Sequence, residues 1–139
     1  MATVELRFSA SPEHVRTARL VAAAVARRAG VHESVLDELR LAVGEACSRA
    51  VGLHAVHGLT SPVRVMLTEG EKSFSIEVGD DAPSGVPAPR GRSGAEVAEE
   101  TDELGLAVIR GLVDDVEVVS DAYGGKIRMS WPTATASLS

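Results

Sequence analysis

The chain has 139 residues, of which 45% are hydrophobic and only 3% aromatic, and its formal net charge is −6. This length suits a single domain that buries about 65–70% of the surface its unfolded chain would expose. Because affinity for nucleic acid comes mainly from Lys and Arg that neutralise phosphates, the negative charge argues against direct nucleic-acid binding. The single cysteine, Cys47, excludes an internal disulfide and a cysteine-rich metal site.

The sequence carries no signal for a membrane. The N-terminus lacks the apolar core of a signal peptide, and no run approaches 18 apolar residues. We therefore expect a soluble, cytoplasmic protein without a membrane partner.

The chain begins with a predicted strand and helix. Residues 3–9 alternate apolar and polar side chains, as a half-buried strand does. Ser11 as N-cap and Pro12 at the first helical position predict a helix that Gly30 ends. The apolar residues expected near one face of this helix are Val15, Leu20, Ala23 and Val25.

A longer helix and a hairpin follow. The helix is predicted to begin near Glu33 or Ser34 and to end near His57, with apolar residues every three or four positions. Residues 63–68 and 73–78 are typical strands, and the short polar linker between them predicts an antiparallel hairpin.

The remainder is one long loop, one helix and a second hairpin. Residues 79–103 hold three of the six prolines, so a long mobile loop is predicted there. A helix begins at Leu104, residues 116–120 and 126–131 form the final hairpin, and residues 133–139 form a flexible tail. The residues of the last helix expected to point inward are Leu104, Val108, Ile109, Leu112 and Val113.

The order of elements, β-α-α-β-β-loop-α-β-β, predicts an α+β fold. Helices should lie on one face of a mostly antiparallel sheet, which makes a two-layer sandwich. Residues 1–132 are predicted to form this single domain.

Three places along the chain could carry chemistry. Glu45 stands among small and apolar residues, with Arg49 four positions later on the same side of the helix. Asp80 and Asp81 follow a strand, where a carboxylate could accept a hydrogen bond from an adenine amine. Gly105 lies at a helix start whose backbone N–H groups could meet phosphate, and an acid facing such a site could act as general base.

The order of these motifs resembles the Bergerat-fold ATP-binding domain shared by gyrase, histidine kinases and mismatch-repair proteins. The stretches LRLAVGEACSRAV, IEVGDDAPSG and ELGLAVIRGLVDDVEV look most like the three boxes of the small anti-sigma-factor serine kinases of bacterial partner switching, over about residues 3–131. The resemblance implies that Glu45 is the general base, that Asp80 binds adenine, and that Gly105 lies in the phosphate-binding box. It places the ATP lid at residues 79–103.

The same resemblance implies the partners and cofactors. Members of this family bind ATP and magnesium, hold a sigma factor, are released by an anti-anti-sigma protein of the STAS fold, and are commonly homodimers.

Several residues depart from the family pattern. Arg49 stands where the family has the Asn that holds magnesium, and Ala82 and Ser84 replace glycines of the second box. Arginine has donors and no acceptor, so it cannot ligate Mg²⁺. We therefore expect a degenerate pocket holding Arg49, Asp80 and Gly105, with no cofactor and no metal ligands. Alternatively, the pocket still binds ATP, and Arg49 contacts phosphate directly in place of the metal.

Plainer explanations remain open for each motif. Glu45 and Arg49 could form an ordinary helical ion pair, Asp80 and Asp81 could serve a turn, and Gly105 could only allow close packing. Three functions follow: an anti-sigma factor with weak or absent ATP binding, an active serine kinase of the same family, or a scaffold domain unrelated to sigma factors. Enzymatic activity is thus left open, and the non-catalytic regulator is favoured. His54 and His57 near the helix end are expected only to suit its dipole.

Overall fold

The structure of the chain is a computed structural model that describes residues 2–83 and 104–133. Its elements follow the predicted order, and the α+β prediction is confirmed. The strands and helices are β1 (Ala2–Phe8), α1 (Glu13–Ala29), α2 (Leu36–Val56), β2 (Val63–Glu69), β3 (Ser73–Asp80), α3 (residues 104–112), β4 (Asp115–Asp121) and β5 (Gly124–Pro132), with a short 3-10 turn over Glu33–Val35 before α2.

The five strands form one sheet in the order β1-β2-β3-β5-β4, and every pair is antiparallel. β3 therefore lies at the centre, between β2 and β5. Alternation along β2 and β3 directs one set of side chains to the helices and the other set to the open face of the sheet.

The core lies between this sheet and the helices, and it is mostly aliphatic. The largest buried side chains include Phe74, Leu36, Leu39, Leu67, Ile76, Ile109, Ile127 and Met129. α1 contributes only small residues, since its buried positions are Ala18, Ala22, Ala23 and Ala26. Gly30 ends α1 in the left-handed conformation with φ 102°, as its position predicted.

Some details of the prediction were wrong. Pro12, not Ser11, occupies the N-cap position, and the Ser11 hydroxyl donates to the Glu13 carboxylate at 3.2 Å instead of accepting from the backbone. β3 continues to Asp80, so the first two residues of the predicted loop belong to the sheet. Thr133 is buried and its N–H donates to the Lys72 carbonyl at 3.2 Å, so the ordered part of the chain extends one residue into the predicted tail.

The facing of two helices also differs from the prediction. Leu20 is 58% exposed, because the buried stripe of α1 consists of its alanines. Leu104 and Val108 are 67% and 43% exposed. The buried stripe of α3 instead begins at Gly105 and continues through Ile109, one position later in the helical period.

Residues 84–103 and 134–139 lie outside the described residues, so the lid-like loop, most of the tail and the boundaries of the domain stay predictions. Within residues 2–83 and 104–133, no helix combines the length and the apolar character needed to span a membrane.

Candidate functional site

The predicted acid and its neighbour lie on the middle of α2. Glu45 and Arg49 are half-buried, while Ala46, Cys47 and Ala50 around them are buried. α2 therefore directs one side of this stretch into the core and leaves Glu45 at the edge of the sandwich.

α3 meets α2 at Glu45. Gly105 is buried, and a Cβ built on it would lie 3.7 Å from Oε2 of Glu45. The structure thus brings together the residues of the first and third motifs, 60 positions apart in the chain (105 − 45).

Asp80 is buried at the end of β3, with its side chain 2% exposed. Its Oδ1 accepts the N–H of Ala82 at 2.9 Å, the i to i+2 hydrogen bond typical of an Asx turn. Burial raises the pKa of Asp80, while the hydrogen bonds from the Ala82 and Gly125 backbone and the charge of Arg49 act in the opposite direction. The turn role that the sequence left open for Asp80 is therefore present in the structure.

Arg49 reaches across to this carboxylate. Its Nη1 lies 3.7 Å from Oδ2 of Asp80, and the Arg49 side chain is only 12% exposed. The contact joins α2 to the central strand, and it places a guanidinium on the acid that the family resemblance assigns to adenine. All four predicted site residues, Glu45, Arg49, Asp80 and Gly105, thus lie on the helix-covered side of the sheet.

Two features of this site bear on a nucleotide and its metal ion. Oδ1 of Asp80 already accepts the Ala82 N–H, and Oδ2 faces Arg49 at 3.7 Å, so an adenine amine would share the carboxylate with these protein groups. Arg49 supplies no ligand to magnesium. Among residues 2–83 and 104–133, no group of three or more His, Cys, Asp or Glu side chains is placed to hold a metal ion.

Sequence reasoning missed the role of His54. This side chain is fully buried, Nδ1 lies 3.0 Å from the Ser61 carbonyl, and Nε2 accepts the N–H of Asp81 at 2.9 Å. The available signal was its helical phase, because His54 follows Ala50 by four positions and so falls on the buried stripe of α2.

Asp81, which follows the last residue of β3, has side-chain contacts of its own. Its Oδ1 accepts from Nη1 of Arg64 on β2 at 2.9 Å. The Ser61 hydroxyl and Arg64 lower the pKa of Asp81. The two consecutive acids therefore have different environments: Asp80 faces the helices, and Asp81 is held by β2 and the segment before it.

Cys47 is not a reactive group in this site. It is fully buried, and burial raises the pKa of its thiol to about 12. The thiolate that would act as nucleophile or metal ligand does not form in the folded protein near neutral pH.

Comparisons with known proteins agree with the sequence motifs. A family model described as the histidine kinase-like ATPase domain matches residues 8–131. The serine-protein kinase RsbW of Oceanobacillus iheyensis is 30% identical over 144 residues, which covers 91% of this chain and 84% of that protein. RsbW of Bacillus pumilus is 28% identical over 130 residues, covering 86% of this chain and 79% of that one.

A solved structure shows the same fold. The crystal structure of the RsbU and RsbW domains of Rv1364c from Mycobacterium tuberculosis superposes with a TM-score of 0.67 at 17% identity, over 94% of this chain. The chain spans 32% of that longer chain. The chain therefore belongs to the histidine kinase-like ATPase domain family and is a relative of the RsbW serine-protein kinases, the partner-switching type that its motifs resemble.

Proposed function

We propose that this protein is an anti-sigma factor that works by binding proteins and not by using ATP. It sequesters a sigma factor, and a STAS-fold anti-anti-sigma protein releases it. The observation that carries the absence of ATP use is the contact of Arg49 with Asp80, because it sets a cation against the carboxylate that the family resemblance assigns to adenine.

Two features of the pocket support the loss of nucleotide binding. Arg49 removes the amide that would ligate magnesium, and the buried Asp80 carboxylate is already hydrogen-bonded by the protein. Each lost contact weakens binding by roughly 1 kcal/mol, and every 1.4 kcal/mol is about tenfold in affinity. Several such losses together reduce the affinity by orders of magnitude.

Similarity to RsbW and the net charge support the proposed binding of a sigma factor. The relatives named above are serine-protein kinases called RsbW, and their similarity extends over 91% and 86% of this chain. The net charge of −6 is of the sign that would meet a basic, DNA-contacting surface of a sigma factor.

A capture experiment tests the proposed function. The tagged full chain is incubated with a bacterial lysate, and the bound proteins are identified by mass spectrometry. We expect a sigma factor to be recovered, and we expect an added STAS protein to displace it without ATP. Recovery of other partners and no sigma factor would favour the scaffold hypothesis.

A labelling experiment tests the kinase hypothesis separately. The chain is incubated with labelled ATP, Mg²⁺ and the STAS partner, beside the variant Glu45→Ala. We expect no transfer of phosphate to the partner. Transfer that disappears in Glu45→Ala would assign Glu45 as a general base and contradict the degenerate pocket.

We also propose that the free protein is a homodimer that uses β1. This strand is an edge of the sheet, and Val4 on it is 38% exposed. Light scattering of the free protein should give the mass of a dimer, and Val4→Lys should give a monomer. A monomeric wild-type protein would contradict the dimer without affecting the assignment of the fold.

A further inference from the structure

His54 bridges two segments that the sequence separates. A backbone carbonyl can only accept and a backbone N–H can only donate, so the Ser61 carbonyl at 3.0 Å and the Asp81 N–H at 2.9 Å fix the state of the ring. Nδ1 carries the proton and donates to Ser61, while Nε2 is bare and accepts from Asp81. Both nitrogens of a fully buried imidazole are thereby used.

The Asp81 peptide held by His54 is the one that follows Asp80. On its other side, the Asp81 carboxylate is held by Arg64 at 2.9 Å. Ala82, the next residue, donates its N–H to Asp80 Oδ1 at 2.9 Å. The hydrogen bond to His54 is therefore one of three contacts that hold the chain where it leaves β3, directly after Asp80.

We propose that His54 is a positioning residue that keeps the buried Asp80 carboxylate against Arg49. It acts on the backbone of Asp81, through the hydrogen bond from the Asp81 N–H to Nε2. Any effect of His54 on nucleotide binding rests on the proposed function, in which the Arg49–Asp80 contact hinders the binding of a nucleotide. The positioning itself is a property of the fold and is tested without nucleotide or partner.

The first measurement uses the unmodified protein. In the ¹⁵N-labelled chain, an N–H···N hydrogen bond transmits a scalar coupling between its two nitrogens. We expect this coupling between the Asp81 amide nitrogen and Nε2 of His54, with the ring proton on Nδ1. A ring protonated on Nε2, or the absence of the coupling, would overturn the proposal.

The second measurement uses His54→Leu, His54→Gln and the control His57→Gln, at a half-buried histidine of the same helix end. Leucine leaves the half-buried Asp81 N–H without its acceptor, which costs about 1–3 kcal/mol. Exchange of the Asp81 and Ala82 amides should accelerate by roughly 10- to 100-fold in His54→Leu, while that of Ile76 in the core changes less. His54→Gln should restore most of the protection, because its amide can both donate and accept.

The titration of Asp80 separates positioning from general support of the fold. Asp80 faces Arg49 from α2 and lies beside Asp81, which pairs with Arg64. If the hydrogen bond to His54 holds Asp80 in its buried position, His54→Leu should admit water to the Asp80 carboxylate. The raised pKa of Asp80 should then move back toward its ordinary value, as followed by the carboxyl ¹³C shift. His57→Gln should leave it unchanged. A lower urea midpoint in His54→Leu with an unmoved Asp80 titration would show a merely structural histidine and overturn the proposal.

Discussion

Replacing Arg49 by methionine tests the contact on which the closed pocket depends. Methionine keeps an unbranched side chain in the half-buried space and removes the charge. The gross attraction of unit charges 3.7 Å apart is about 4 kcal/mol at an effective dielectric constant of about 20. Desolvation offsets much of it, and Asp80 keeps its hydrogen bonds from Ala82 and Gly125. We therefore expect Arg49→Met to lower the free energy of unfolding by about 1–3 kcal/mol at pH 7.

The loss should depend on pH in a defined direction. Burial raises the pKa of Asp80 in the folded protein, so the ionised form of Asp80 costs stability. The contribution of Asp80 to folding stability is therefore most favourable below its unfolded pKa of about 3.9. Arg49 lowers the pKa of Asp80, so its removal raises that pKa further. The destabilisation by Arg49→Met should therefore be greatest at neutral pH and should shrink as the pH falls and Asp80 takes up a proton.

The assay is urea unfolding followed by the fluorescence of Trp131, the single tryptophan, which is 4% exposed. The unfolding free energy is measured at several pH values for the wild type, Arg49→Met, Asp80→Asn and the double variant. The double-mutant cycle isolates the Arg49–Asp80 part from other interactions of Arg49. Arg49→Lys, which keeps a cation, should lose less. A loss below about 0.5 kcal/mol that does not change with pH would refute the assigned contact.

Three further predictions follow from other parts of the fold. Gly124→Ala should lower the unfolding free energy by about 2 kcal/mol or more, because φ is 154° at Gly124 and the new Cβ would meet the Asp80 carbonyl. Gly52→Ala on α2, whose new Cβ meets nothing within 4 Å, should raise the unfolding free energy by about 0.5–1 kcal/mol. Equal effects of the two substitutions in urea unfolding would contradict this. Cys47 should not react with a thiol reagent at pH 8 until the chain unfolds, since its pKa is raised to about 12; fast labelling of the native protein would show an exposed thiol. Ser61→Ala should raise the lowered pKa of Asp81. The stability that Asp81 contributes is lost as the pH falls through its folded pKa, so this loss should move to higher pH. An unmoved ¹³C titration of Asp81 would exclude the Ser61 hydrogen bond.

The fold could be predicted from the sequence because each element carries its own local signal. Alternation marked the strands, Gly30 marked the end of α1, and the order of motifs matched one known family. The boundary of β3 was missed, because Gly79 and Asp80 are usual turn residues, and pairing with β2 and β5 overrides that preference.

The site was predicted only as a set of residues. Sequence spacing relates Glu45 to Arg49 along one helix, but the contact of Arg49 with Asp80 depends on how α2 lies against β3, which no local pattern encodes. The same holds for His54, whose partners Ser61 and Asp81 are 7 and 27 positions away. Long-range hydrogen bonds of this kind follow from the packing and not from propensity.

Calorimetry with ATP and Mg²⁺ tests the central claim most directly. If the Arg49–Asp80 contact closes the pocket, the wild-type protein gives no binding heat up to millimolar nucleotide. Binding with a micromolar Kd, with magnesium required for it, would contradict the account.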